Sequence, residues 1–170
     1  MPTCVLQGED PATDFRGAGR LGLDCLLYLA TEAPPTFRRL LEKLDGERSE
    51  WEYPFAVAGL NITFMLLDVI GLRQDAAVSG RGGRAGGASR TGTDSITPEG
   101  RGFAELMSCE PYAFEELFIA TFECLDMEWL RQRASYMEFT TVFKAVRKLV
   151  EHALSSKPKS ISAMRQKLRL

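Results

Sequence analysis

The sequence has little histidine, almost no net charge and few cysteines, and each shortage excludes a class of function. With His152 as its one histidine, the chain cannot form a multi-histidine metal centre, and a histidine-based triad is hard to build. A formal net charge of −2 gives no electrostatic footprint for nucleic acid. The four cysteines are irregularly spaced, which excludes a zinc motif or a disulfide framework and favours reduced thiols; they are Cys4, Cys25, Cys109 and Cys124.

Long apolar runs are also missing. Residues 1–10 lack the basic head and apolar stretch of a secretory signal. The most apolar segment, 55–72, is short and contains Asn61, Thr63 and Asp68, whereas a membrane span needs about 20 mostly apolar residues. The segment is therefore predicted to be a buried helix, with Asn61 buried and hydrogen-bonded. We expect a cytoplasmic protein without a transmembrane segment.

Apolar residues recur at helical spacing along most of the chain, and no stretch shows the period of two that strands require. The sequence therefore predicts an all-α fold with a single helical domain over 1–170. The basic segment 155–170 is predicted to be a solvated last helix. The predicted apolar helices are 23–30, 37–44, 55–70, 114–129 and 136–153.

The segment 76–102 departs from this pattern. It holds eight glycines, and its only large apolar residues are Val78 and Ile96. Because such a composition cannot bury enough apolar surface to offset the entropy of ordering, the segment is predicted to be a disordered Gly/Arg-rich insert. Its "RGGR" run lacks the aromatic residues that stack on bases, so no nucleic-acid partner is expected.

Motifs for self-contained catalysis are weak. Residues 17–22 match G-x-G-x-x-G, but no strand is predicted before them, so no dinucleotide cofactor is expected. The acidic pairs Glu115–Glu116 and Asp126–Glu128 are predicted to lie on solvated helix edges. No metal site is predicted.

One arginine stands in an unusual place. The stretch "DPATDFRGAGRLGL" at 10–23 delivers Arg16 from a turn-forming run onto a glycine-rich segment just ahead of a helix. Near a helix N-terminus an arginine is mildly unfavourable, because the helix dipole places positive charge there. Arg16 is therefore either a surface ion-pair partner at the helix start or a side chain presented to another molecule.

Three blocks of the sequence resemble the ELMO domain. They are "LQGEDPATDFRGAGRLGLDCLLYLA" at 6–30, "YPFAVAGLNITFMLLDVI" at 53–70 and "EPYAFEELFIATFECLDMEWLRQRASYMEFTTVF" at 110–143, in the family's order. The "DFRG" run around Arg16 is similar to the compact ELMO-domain-containing branch rather than to the large engulfment scaffolds. Family members carry further helices ahead of this motif, and Leu6 stands where an aromatic residue is usual, so an N-terminally truncated domain is expected.

The resemblance implies a function that the composition does not indicate. Compact members resemble GTPase-activating proteins for Arf and Arf-like small GTPases, and the matching arginine, Arg16, would be the arginine finger supplied in trans. Gln7, Asp14, Gly17 and Gly19 would support it or contact the partner. No bound cofactor is implied, since nucleotide and Mg²⁺ belong to the GTPase, through which the domain would reach organelle membranes. The alternative is a non-catalytic interaction module, either scaffold-like or an inactive ELMO domain.

Overall fold

A computed structural model describes residues 19–72 and 96–170 of the chain, and all regular elements in these two ranges are helices. This confirms the all-α prediction. The seven α-helices, numbered in chain order, are α1 (Gly19–Glu32), α2 (Pro34–Glu42), α3 (Phe55–Val69), α4 (Pro98–Met107), α5 (Ala113–Arg131), α6 (Phe139–Ser155) and α7 (Ile161–Lys167), with a 3₁₀ turn at Tyr136–Glu138. None of them is long and apolar enough to cross a membrane.

The helix boundaries follow local chemistry. Pro34 opens α2, since a proline in the first turn loses no helical hydrogen bond. Lys43 caps the C-terminus of α2 and adopts the left-handed conformation with φ 55°. Ser160 caps α7 by accepting the backbone N–H of Ala163 at 3.1 Å.

Helix α5 is the centre of the fold, because it packs against each of the other six α-helices. Its core face is aromatic. Phe122 stacks on Phe55 of α3 with ring centroids 5.1 Å apart, and Trp129 meets the ring of Tyr53 edge-on at 5.0 Å. These rings are almost completely buried, so they fix the C-terminal half of α5 in the core.

Helix α4 corrects the predicted insert. Residues 98–102 are helical, so the end of the insert at 102 is wrong, while 76–95 lie outside the described residues. Thr97 caps this helix by accepting the backbone N–H of Gly100 at 3.0 Å. A Cβ on Gly102 would lie 1.9 Å from the carbonyl oxygen of Leu154 in α6. The glycine here serves close helix packing rather than chain flexibility.

Two further expectations are wrong. The basic segment at the chain end is not a solvated helix, because Met164 and Leu168 are at most 1% exposed and pack into the core. Asn61 is only half-buried; the buried polar residue of α3 is Thr63, whose hydroxyl donates to the carbonyl of Gly59 at 3.1 Å. The helical period thus placed α3 in the core but missed which polar side chain faces inward.

Candidate functional site

Of the five residues assigned to the site, four lie outside the described residues: Gln7, Asp14, Arg16 and Gly17. Gly19 is described, and it is the first residue of α1. The structure therefore defines the helix to which the Arg16 segment is joined, three residues downstream of the arginine.

Helix α1 is firmly held by the core. Cys25 and Leu29 are fully buried. The hydroxyl of Tyr28 donates a hydrogen bond to Glu116 in the first turn of α5 at 3.0 Å. A Cβ on Gly59 of α3 would lie 2.8 Å from Leu26 Cδ2, so the two helices approach closely. The Arg16 segment is thus attached to a helix that the rest of the domain keeps in place.

The outward face of α1 carries both apolar and charged side chains. Leu23 is 50% exposed and Leu27 is 59% exposed. Beside them on the same face lie Arg20 and Asp24, which form an exposed ion pair of 3.3 Å. Sequence periodicity had grouped both leucines with the apolar stripe of this helix, yet the structure leaves them on the outside.

Three carboxylates of α5 are buried, and two of them, Asp126 and Glu128, had been predicted to be solvated. Asp126 is 1% exposed. It accepts hydrogen bonds from the Tyr53 hydroxyl at 2.5 Å and from Arg48 Nη2 at 2.7 Å. Glu128 is bound by the Arg131 guanidinium, with Nη2 2.6 Å from its carboxylate, and this contact lowers the pKa of Glu128.

Glu123 is the third buried carboxylate, and sequence reasoning missed it. One carboxylate oxygen accepts a hydrogen bond from Arg39 Nη2 of α2 at 2.7 Å, and the other accepts one from Arg165 of α7. Both arginines are about a third exposed, whereas Glu123 is 6% exposed. The single carboxylate therefore links α2, α5 and α7.

Burial shapes the electrostatics around Asp126. It raises the pKa of Tyr53 well above its ordinary value, and the adjacent Asp126 charge raises it further. Burial also lowers the pKa of Lys43 to about 7, against the opposing effect of Asp126. The Lys43 Nζ lies 3.3 Å from the centroid of the Tyr53 ring and donates to the Leu40 carbonyl at 2.8 Å.

These carboxylates have no free role in acid–base chemistry, since each is held by at least one guanidinium. Such pairs hold the carboxylates in fixed orientations inside the protein. Within the two described ranges, no group of three or more histidine, cysteine or acidic side chains is placed to hold a metal ion. Glu123, Asp126 and Glu128 with their arginines, which we call the α5 cluster, thus form a structural network. The outward face of α1 is the candidate surface for contact with another molecule.

The fold and this arrangement define an all-α domain built around one central helix. The sequence profile of the ELMO/CED-12 family matches residues 6–143. The chain belongs to that family. It is 34% identical to ELMO domain-containing protein A of Dictyostelium discoideum over 92% of this chain and 16% of that protein.

Two further relatives bracket the similarity. ELMO domain-containing protein B of Dictyostelium discoideum is 47% identical over 40% of this chain and 23% of that protein. Human engulfment and cell motility protein 2 is 28% identical over 94% of this chain and 20% of that protein. The chain therefore spans less than a quarter of each of these three relatives.

Proposed function

We propose that the chain is a GTPase-activating protein for an Arf or Arf-like small GTPase, with Arg16 as an arginine finger supplied in trans. The observation that carries the proposal is the position of Arg16. It stands in the "DFRG" run inside the matched family region, three residues before a helix that the core holds in place.

The chemistry suits an arginine. During phosphoryl transfer, negative charge spreads over the γ-phosphoryl oxygens, and a guanidinium donated by an activator accelerates hydrolysis by about 10³–10⁵. The planar fork of arginine contacts two oxygens at once, which the single ammonium of a lysine cannot do. Gly17 and Gly19 permit the backbone conformation that presents Arg16. Asp14 orients the finger or contacts the GTPase, and Gln7 contacts the GTPase.

The proposal needs no cofactor bound by this chain, because the GTPase brings the nucleotide and its Mg²⁺. The proposal also assigns no catalytic role to the buried carboxylates, which are paired with arginines of the same domain. The domain would act in the cytoplasm and reach organelle membranes through its GTPase.

A hydrolysis screen tests the proposal. Each member of a panel of Arf and Arf-like GTPases is loaded with GTP and Mg²⁺, and single-turnover hydrolysis is followed with and without the full 170-residue chain. We expect at least one GTPase to hydrolyse GTP about 10³-fold faster with the chain present.

The screen also separates the alternative function. A GTPase that binds the chain in its GTP form, without faster hydrolysis, would identify a non-catalytic interaction module. If no member of the panel binds or responds, the proposed GTPase partner is wrong.

A further inference from the structure

We infer that the outward face of α1, formed by Arg20, Leu23, Asp24 and Leu27, is the docking surface for the small GTPase. The inference rests on the proposed function and deepens it, because it assigns binding energy to residues other than the finger. We call these four residues the α1 face.

Exposure is the first argument. Leu23 and Leu27 are one helical turn apart, and each leaves at least half of its surface in contact with solvent. The same helix buries Cys25 and Leu29 completely, so α1 presents apolar side chains on two sides while one side suffices for the core. Apolar residues that follow the helical pattern but remain exposed in the fold are expected at functional surfaces.

Distance is the second argument. Three extended residues span at most about 11 Å, so the Cα of Arg16 lies within that distance of Gly19. Along α1, Leu23 lies about 6 Å and Leu27 about 12 Å from Gly19, at 1.5 Å per residue. A standard interface covers about 800 Å² per partner, a patch about 30 Å across. A GTPase that receives Arg16 in its nucleotide site is therefore close enough to contact the first turns of α1.

The chemistry of the face is the third argument. Stable interfaces combine a few apolar anchors with a polar rim, and here the two leucines stand beside the exposed Arg20–Asp24 ion pair. The side chain of Arg20 is 90% exposed, so it can exchange its intramolecular partner for a carboxylate of the GTPase. Arg16 would then accelerate GTP hydrolysis, while the α1 face would contribute the affinity for the GTPase.

The test compares two leucines of equal exposure. Leu27 is 59% exposed and Leu44 is 60% exposed. A Cβ on Gly46, two residues after Leu44, would lie 3.0 Å from Leu130 in the last turn of α5. By contrast, α1 binds Glu116 in the first turn of α5. These two turns are about 21 Å apart along the helix, so Leu44→Glu is a matched control close to the opposite end of α5.

Single-turnover hydrolysis is measured with a responsive GTPase from the panel while the concentration of the full chain is varied. We expect Leu27→Glu to raise the half-saturating concentration by at least about tenfold, as loss of an interface anchor does. The maximal rate should stay at the parent value because Arg16 is intact. Leu44→Glu should leave both quantities unchanged.

The outcomes distinguish this inference from the proposed function. If the parent activates a GTPase but Leu27→Glu behaves like Leu44→Glu, the docking surface is wrong and the finger stands. If the parent neither binds nor activates any member of the panel, both fail. A thermal stability of Leu27→Glu clearly below that of Leu44→Glu would show that this chain itself covers Leu27, and would also overturn the docking surface.

Discussion

Helices α1 and α5 break the usual rule of burial in opposite directions. Helix α1 exposes Leu23 and Leu27, whereas α5 buries Glu123, Asp126 and Glu128. Every buried charge on α5 has a cationic partner within the domain, whereas the exposed leucines need no partner there. The buried ion pairs of α5 therefore fix the shape of the domain, whereas the exposed leucines of α1 are available to a partner.

The largest expected effect on stability is at Asp126. Removal of its carboxylate by Asp126→Ala would leave Arg48, whose side chain is 9% exposed, without its closest partner, and the Tyr53 hydroxyl without an acceptor. Breaking a buried ion pair on one side costs about 3–5 kcal/mol. We expect a loss of that size in the free energy of unfolding, measured by urea denaturation.

Glu115→Ala, on the half-buried first turn of the same helix, is the matched control. Loss of an acidic side chain near a helix N-terminus costs less than about 1 kcal/mol. A similar small loss for Asp126→Ala would show that the α5 cluster does not hold the fold, and the contrast with α1 would disappear.

Lys43, beside the buried Asp126, should make the stability of the domain depend on pH. Its pKa is about 7 in the folded domain, because burial disfavours the charge, and near 10.4 in an unfolded chain. Between these values the unfolded state binds one more proton than the folded state, so stability rises with pH from about 7 to 10. Asp126, Glu52 and Arg48 are the charged groups that act on Lys43.

The Lys43→Met variant should lose this rise, since it has no amine to deprotonate. The exposed Lys148→Met should keep it. Urea midpoints at pH 7 and pH 9.5 measure the difference between the two variants. An equal rise in both variants would contradict this and show that the pH dependence does not come from Lys43.

The sequence predicted what depends on neighbouring residues. Helical periodicity placed α3 and α5 because apolar spacing every three or four residues is a local signal. The resemblance to the ELMO domain rested on three blocks of sequence, and the family match over 6–143 confirms it.

What the sequence could not predict depends on distant partners. Asp126 reads as solvated until Arg48, 78 positions away, is brought against it, and Glu123 meets Arg39 across 84 positions. Gly102 illustrates the same limit. In the sequence it belongs to a glycine-rich run, yet its lack of a side chain is what lets α4 lie against the Leu154 carbonyl. Composition does not distinguish a glycine that loosens the chain from one that allows close packing.

The central claim is that Arg16 acts on the partner's nucleotide and not on the stability of this domain. The most direct measurement is single-turnover GTP hydrolysis by a responsive GTPase at saturating Arg16→Lys, beside the parent chain. We expect a fall in activation of about 10³-fold, because a lysine cannot make the bidentate contact with the transferring phosphoryl group. Activation by Arg16→Lys equal to that of the parent would contradict it and leave Arg16 as an ion-pair partner at the start of α1.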